Sequence, residues 1–132
     1  MINQPQLLLA DEPTDALDSV AGAGVMQLLR ELASSEKLWE RRVGMIFTFA
    51  FIRVGELAPT FEIAEQLLGD KHDLMHKAVG WMLREMGKVN HQALLGFLTL
   101  HAHEMPRTML RYSIEKLTET ERKRWLAIKP AK

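Results

Sequence analysis

The spacing of apolar residues constrains the fold of this chain more than any other feature. Between residues 36 and 126, apolar side chains recur three and four positions apart, as on one face of a helix. The runs predict helices over residues 36–55, 59–68, 73–88, 90–103 and 106–117, followed by a last helix. Six helices joined by short links favour antiparallel pairs stacked in repeats of about 35 residues, an all-α solenoid fragment.

Single residues mark where these helices begin and end. Gly55 is placed to stop the first helix, because glycine accepts the left-handed conformation that closes a helix. Asp73 and Asn90 are expected to cap the third and fourth helices with their side-chain oxygens. Thr118 and Glu121 have the spacing of a capping box, which predicts the start of the last helix.

The N-terminal region has a different pattern. Residues 6–12 form a short apolar run that two carboxylates close, which predicts a buried strand ending at a polar site. An acidic turn over residues 14–19 and a helix over residues 20–33 are expected to follow. We therefore expect a strand, turn and helix segment over residues 1–33 and a helical domain over residues 34–132.

Composition indicates a soluble globular protein. The chain has 132 residues, of which 47% are hydrophobic and 26% charged, enough for one domain with a sizeable core. It contains no cysteine, which excludes disulfides, thiolate zinc sites and cysteine nucleophiles. No secretion signal is recognisable, and no apolar run approaches the ~20 residues of a membrane span. The expected location is therefore cytoplasmic, without membrane contact.

The net charge of zero conceals an uneven distribution. Residues 1–33 carry one arginine against five carboxylates, a net charge of −4. Residues 34–132 carry 16 Lys and Arg against 12 Asp and Glu, a net charge of +4, together with all five histidines. The larger part is mildly basic, which slightly favours a phosphate-bearing partner.

Trp81 lies in the most informative of the predicted helices. Lys77 is four residues before it and Arg84 is three residues after it, so a large aromatic ring and two cations share one side of the helix. This grouping suits an anionic partner that carries bases. The alternative is that Trp81 packs against a neighbouring helix while the two cations are only solvated.

The segment over residues 7–19 resembles the Walker B and D-loop region of ATP-binding cassette ATPases, and the likeness extends over residues 5–33. The resemblance implies that Asp11 would support a magnesium ion and that Glu12 would polarise the attacking water. Asp15 stands where the family usually has glycine. Phosphoryl transfer also needs a glycine-rich phosphate loop with its lysine, which the sequence lacks. Neither nucleotide binding nor any other cofactor is expected.

Four further stretches resemble the C-terminal half of the DNA alkylation repair glycosylases, which are built from HEAT-like helical repeats. These stretches are residues 38–43, 76–88, 105–117 and 121–126, and their order and spacing agree with the family over residues 35–128. The resemblance implies a HEAT-like α-solenoid fragment that contacts duplex DNA. Members of the family excise positively charged bases such as 3-methyladenine and 7-methylguanine.

Two residues acquire specific roles through this resemblance. Arg42 matches an arginine that contacts the DNA backbone near the lesion, and Trp81 matches one of the aromatic residues of the cleft. We therefore predict Arg42, Trp81, Lys77 and Arg84 as DNA-binding residues, with duplex DNA, plain or alkylated, as the partner.

No catalytic residue is predicted. The family's catalytic aspartate lies in a helix that would precede Ser35, where this chain is cassette-like instead. Asp11, Asp15 and Asp18 lie in about the right part of the chain but outside the family's aromatic motif. The expectation is a DNA-contacting protein without its excising carboxylate, and the question of enzymatic activity stays open.

Other groupings have simpler interpretations. His72 and His76 stand four residues apart, but no third ligand accompanies them, and no metal site is predicted. Arg122, Lys123 and Arg124 could contact phosphate or form a solvated helix face. The rival functional prediction is a helical-repeat interaction module, or a truncated fusion product without activity. In that case apolar surface left by a missing upstream repeat would favour a homodimer.

Overall fold

The computed structural model describes the backbone of residues 20–128 and the side chains of residues 24–128. Within these residues the protein is all-α, which confirms the predicted fold class. The predicted strand over residues 6–12 and the acidic turn lie outside the described residues. The helices are α1 (Val20–Ala33), α2 (Leu38–Ile46), α3 (Thr48–Ile52), α4 (Ala58–Gln66), α5 (Asp73–Val89), α6 (His91–His101), α7 (Arg107–Ser113) and α8 (Glu119–Leu126), with a 3₁₀ turn Ala102–Glu104 after α6.

The first seven helices form two layers. Helices α1, α4 and α6 form the first layer: α1 packs against α4, and α4 reaches α6 through the rings of Phe61 and Phe97, whose centroids are 5.0 Å apart. In the second layer α5 packs against both α2 and α7, and α3 continues the path of α2. Apolar side chains from both layers fill the space between them. This is the stack of helix pairs that the spacing predicted, while its HEAT-like character stays a prediction.

Methionine fills much of the core. Six of the seven methionines between residues 24 and 128 are buried, and five of them are fully enclosed. Methionine is unbranched and adapts to irregular gaps, so it suits the space between helices of unequal length. The buried methionines are Met45, Met75, Met82, Met86, Met105 and Met109.

Glycine lets helices of the second layer approach one another closely. A Cβ atom at Gly80 of α5 would lie 2.5 Å from the Cβ of Tyr112 and 2.7 Å from the carbonyl oxygen of Met109. A second close approach occurs at Gly44 of α2, where a Cβ would lie 3.2 Å from the carbonyl oxygen of Leu29 in α1. Leu29 is buried, so α1 shares the core with α2. The division predicted at residues 33 and 34 remains one of sequence resemblance.

The long helix predicted over residues 36–55 is interrupted at Phe47. The buried Thr48 hydroxyl donates a hydrogen bond of 2.7 Å to the carbonyl oxygen of Met45, which competes with the helical ladder at this point. The predicted stop at Gly55 is confirmed, because Gly55 has a φ of 83°. The amide of Glu56 donates to the carbonyl oxygen of Phe51 at 2.9 Å, as in a Schellman motif.

The predicted caps have different outcomes. Asn90 caps α6, and Thr118 with Glu121 forms the capping box of α8, as predicted. The predicted cap of α5 at Asp73 is wrong, because Asp73 is the first helical residue. The ring of His72 caps the helix instead, and its Nδ1 accepts a hydrogen bond of 3.1 Å from the Leu74 amide.

Candidate nucleic-acid interface

Charge divides between the two layers. Helices α1, α4 and α6 hold one arginine against three glutamates, a net charge of −2. Helices α2, α5 and α7 hold seven Lys and Arg against three Asp and Glu, a net charge of +4. The cations on the outer side of this second layer are Arg42, Lys77, Arg84, Lys88 and Arg111.

Trp81 lies on the outer side of α5. Its side chain is 36% exposed, while residues 78–80 and 82–83 are buried. Lys77 and Arg84 follow the same side of the helix, since each lies about one turn from Trp81. The structure therefore brings three of the four predicted DNA-binding residues onto one stripe.

Carboxylates accompany the cations of this stripe. Lys77 Nζ lies 3.3 Å from Asp73 Oδ2 in an exposed pair on the same helix, and such pairs are weak. Arg84 is only 20% exposed and pairs with Glu115 beyond the end of α7. Its buried Nε forms no hydrogen bond within the described residues, since Glu85 Oε2 is 3.8 Å away. Lys77 is thus available to a phosphate, whereas Arg84 is held between two helices.

Arg42 lies on α2 in a different setting from its neighbour Arg41. Arg41 Nε lies 2.6 Å from Asp70 Oδ2, and its Nη1 donates to the carbonyl oxygens of both Ser35 and Glu36. Arg41 thus holds the α1–α2 connection to the residues before α5. Arg42 is exposed, and none of the carboxylates between residues 24 and 128 forms an ion pair with it. Within this part of the chain its guanidinium is free to bind an anion.

An apolar groove adjoins Arg42. It has a volume of about 340 Å³ and is lined by Trp39, Arg42, Val43, Ile46 and Phe47, which we call the α2 groove. Trp39 is 63% exposed. Trp39, Val43 and Phe47 belong to the apolar set of the helix predicted over residues 36–55, yet all three are exposed. The regular interval of four from Trp39 through Val43 to Phe47 was the available signal of a separate apolar stripe.

A second cationic site lies at the other end of the second layer. Arg111 and Arg122 line a cavity of about 440 Å³ together with Ile114, Glu115 and Leu126. Arg122 Nη1 donates to the carbonyl oxygen of Leu117 at 2.8 Å, which fixes one side of its guanidinium. Arg111 was not among the predicted site residues, because the sequence does not show that α7 packs beside α5.

The histidines serve local structure. His72 caps α5, and His76 Nε2 lies 2.6 Å from the carbonyl oxygen of Asp70. Between residues 24 and 128 no group of three or more histidine and acidic side chains is arranged to hold a metal ion.

His101 bridges two carboxylates at the edge of the first layer. Its Nε2 lies 2.7 Å from Glu65 Oε2 and its Nδ1 lies 2.9 Å from Glu104 Oε2. Burial lowers the pKa of His101, but the hydrogen bonds to Glu104 and Glu65 outweigh that effect and raise the pKa above 6.5. Both ring nitrogens can donate only in the imidazolium form, so the bridge favours the charged ring.

Over residues 20–128, fold and charge together define an all-α arrangement of two helical layers, of which the second is cationic. The sequence model of the family described as DNA alkylation repair enzyme matches residues 15–117, most of the chain. The chain therefore belongs to the DNA alkylation repair enzyme family.

Curated proteins match a shorter part of the chain, the cassette-like segment. The macrolide export ATP-binding/permease protein MacB of Nitrosomonas europaea is 60% identical over 35 residues, 26% of this chain and 5% of that protein. The lipoprotein-releasing system ATP-binding protein LolD of Shewanella denitrificans is 61% identical over 33 residues, 25% of this chain and 14% of that protein. The chain thus spans only a small part of these relatives. No solved structure matches it significantly.

A membrane span is not found within the described helices. None of them is both long enough and apolar enough to cross a bilayer.

Proposed function

We propose that the outer side of the second layer binds duplex DNA, plain or alkylated, and that the protein acts in the cytoplasm in a DNA alkylation repair role. The observation that carries this proposal is the charge division, +4 for the second layer and −2 for the first. A basic face opposite an acidic one orients a polyanion before contact. Family membership supports the same role.

Each predicted residue has a separate task in this proposal. Arg42, without an ion-pair partner among residues 24–128, contacts a backbone phosphate. Lys77 exchanges its exposed contact with Asp73 for a phosphate, at little cost. Trp81 offers an aromatic surface to a sugar or base between these cations. Arg84 forms an ion pair with Glu115. Its contribution is therefore to hold α5 in place and to neutralise the Glu115 carboxylate beside the stripe.

Excision is a separate question from binding. A positively charged alkylated base is a good leaving group, so an enzyme mainly stabilises the charge that develops on the sugar, a task for a carboxylate. On the outer stripe the neighbouring carboxylates Asp73, Glu85 and Glu115 are all engaged by cations. We propose that the chain binds DNA without excising bases efficiently.

Binding is tested by fluorescence anisotropy with a labelled short duplex at several salt concentrations. We expect the logarithm of the affinity to fall linearly with the logarithm of the salt concentration. Arg42→Gln is expected to reduce that slope by about 0.9, the value for one phosphate contact. Lys123→Gln removes an exposed cation from α8 and serves as the control. If the chain binds neither the plain nor the methylated duplex, the DNA proposal is wrong.

Excision is tested by release of free 7-methylguanine from methylated duplex. We expect no release above the background rate. Release that disappears in Asp15→Asn or Asp18→Asn would show that the N-terminal segment supplies the missing carboxylate, and the proposed lack of excision would then be wrong.

A second candidate function is that of a protein interaction module. The α2 groove favours it, because Trp39, Val43 and Phe47 expose a continuous apolar stripe on one helix. Sedimentation equilibrium distinguishes this candidate: a molecular mass that rises to twice the chain mass with concentration indicates self-association through such a surface.

A further inference from the structure

The α2 groove combines features that restrict what can fill it. Trp39, Val43 and Phe47 follow one another at intervals of four and form one wall. Arg42 and Ile46 lie on the other flank of the same helix, so the groove runs along the helix axis with one cation beside its apolar floor. A suitable occupant therefore carries an apolar run and at least one carboxylate.

A second copy of the chain fits this requirement poorly. The three exposed apolar residues are placed symmetrically about Val43, so a two-fold antiparallel pairing of two α2 helices would match Trp39 with Phe47. Arg42 is only one residue from Val43, the symmetry centre. In this pairing it therefore lies on the same side of the helix pair as Arg42 of the second copy. Two guanidinium groups facing each other across an apolar contact repel, and none of the described carboxylates pairs with Arg42.

Residues 6–19 of the same chain have the required chemistry. Their sequence contains the apolar run 7–10 and four carboxylates, Asp11, Glu12, Asp15 and Asp18, without a single Lys, Arg or His. They lie outside the part of the chain that the structure describes, directly before α1. The opposite charges of this segment and of the second layer, −4 and +4, make the two complementary.

Chain geometry allows the contact. Gly44 of α2 lies against Leu29 and Ala33 near the end of α1, and the two helices are joined by a short connection. They therefore run antiparallel, and the beginning of α1 lies toward the Phe47 end of the groove. Nine residues, the number from 11 to 19, can span up to about 30 Å. This is enough to follow α2 from one end of the groove to the other. A tethered segment also has an effective concentration in the millimolar range.

We propose that the acidic segment over residues 6–19 occupies the α2 groove, places its carboxylates at Arg42 and thereby competes with DNA for that residue. The competition rests on the proposed DNA function, whereas the intramolecular contact does not. The cassette-like motif would then serve as an internal anionic ligand, independent of any nucleotide.

The contact is tested by NMR of the tryptophan indole groups in the full-length chain without DNA. Asp11→Asn, Glu12→Gln, Asp15→Asn and Asp18→Asn are combined in one neutralised variant, and Trp39→Phe assigns the Trp39 signal. We expect neutralisation to shift the Trp39 indole signal, while the signals of Trp81 and Trp125 serve as internal controls and stay in place. If the neutralised variant folds poorly, Asp11→Asn combined with Glu12→Gln is the second variant, and it is expected to move the Trp39 signal in the same direction because it removes two of the segment's four carboxylates.

The competition is tested by duplex binding of the same variants. If the segment fills the groove in roughly nine of ten molecules, the neutralised variant binds duplex about tenfold more tightly than the unmodified chain. Arg42→Gln is expected to remove most of that difference, because the shared contact is gone.

Several outcomes would overturn the proposal. A Trp39 signal that neutralisation leaves unchanged shows that the segment is not in the groove. A Trp39 signal that moves with protein concentration identifies a second copy as the occupant, and one that moves only when duplex is added identifies DNA. A Trp39 shift on neutralisation without any duplex binding would leave the intramolecular contact standing while the DNA function fails.

Discussion

The two layers differ in how their helices are held together as well as in charge. In the first layer, polar and aromatic side chains bridge neighbouring helices: Arg30 of α1 pairs with Glu62 of α4, and His101 at the end of α6 pairs with Glu65 of α4. In the second layer, α5 and α7 meet through the close backbone contact at Gly80. Because this contact uses no charged side chain, Arg42 and Lys77 on the outer side of the second layer remain available to a ligand, whereas Arg84 is held by Glu115. In the first layer, by contrast, the charged side chains form ion pairs between helices.

The largest effect is expected from a single methyl group at the close contact. Gly80→Ala would place a Cβ against the backbone of α7, where it cannot be accommodated without moving a helix, and we expect a loss of about 3 kcal/mol in the free energy of unfolding. The control is Gly96→Ala in α6 of the first layer, where a Cβ meets nothing within 4 Å. There the better helix propensity of alanine should raise stability by up to about 1 kcal/mol. Urea denaturation measures both, and equal effects would contradict the difference between the layers.

The next effect separates two neighbouring arginines of the second layer. Arg41→Gln leaves the nearly buried Asp70 carboxylate without its ion pair, and we expect a loss of about 2 kcal/mol in stability. Arg42→Gln touches no such pair and is expected to change stability by less than about 0.5 kcal/mol while it weakens duplex binding. Thermal unfolding and anisotropy together test the pair. A destabilising Arg42→Gln would contradict the assignment of this residue to binding.

A third prediction concerns the pH dependence of the first layer. The raised pKa of His101 means that its bridge to Glu65 and Glu104 stabilises the fold fully below the unfolded pKa of about 6.5 and is lost as the pH rises through the folded pKa. His103 is the other titratable group that influences Glu104. We expect His101→Gln to cost about 1 kcal/mol near pH 5.5 and much less near pH 8.5. Urea denaturation at both values is the measurement, and a cost independent of pH would contradict the bridge.

The smallest effect is expected at Lys77. Its exposed pair with Asp73 contributes less than about 0.5 kcal/mol, so Lys77→Gln should leave the unfolding midpoint almost unchanged. If Lys77 contacts a phosphate, the same substitution lowers the salt slope of duplex binding by about 0.9. Asp73→Asn is the matched control, since it breaks the same pair and keeps the cation. A salt slope unchanged by Lys77→Gln would remove this residue from the interface.

Local signals made much of the fold predictable. The spacing of apolar residues located the helices, and the caps at Asn90 and at Thr118 with Glu121 could be read directly, because a cap depends only on the next few residues. The cap of α5 was misread because His72 and Asp73 are adjacent and both can accept a hydrogen bond from a backbone amide. The break at Phe47 depends on the direction of one buried hydroxyl, at Thr48, which no periodicity reports.

The candidate site was less predictable, because its elements depend on which helices are neighbours. The sequence placed Lys77, Trp81 and Arg84 on one side of a helix, and the structure has them there. It could not tell that Arg84 is held by Glu115, which is 31 residues away in the chain. Arg41 and Arg42 are equivalent in the sequence, and only the position of Asp70 separates the structural cation from the exposed one. Trp39 is exposed because it lies on the free side of α2.

The methionine-rich interior has a consequence for the lifetime of the protein in oxidising conditions. While the fold is closed, the five fully enclosed thioethers are shielded from peroxide. When the chain opens transiently, each can become a sulfoxide, which is polar and no longer fits an apolar gap. Because the chain has no cysteine, thiol oxidation cannot intervene first. Oxidation of unfolded molecules would therefore make a reversible opening irreversible, and folded protein would be lost unless a reductase restores the thioether.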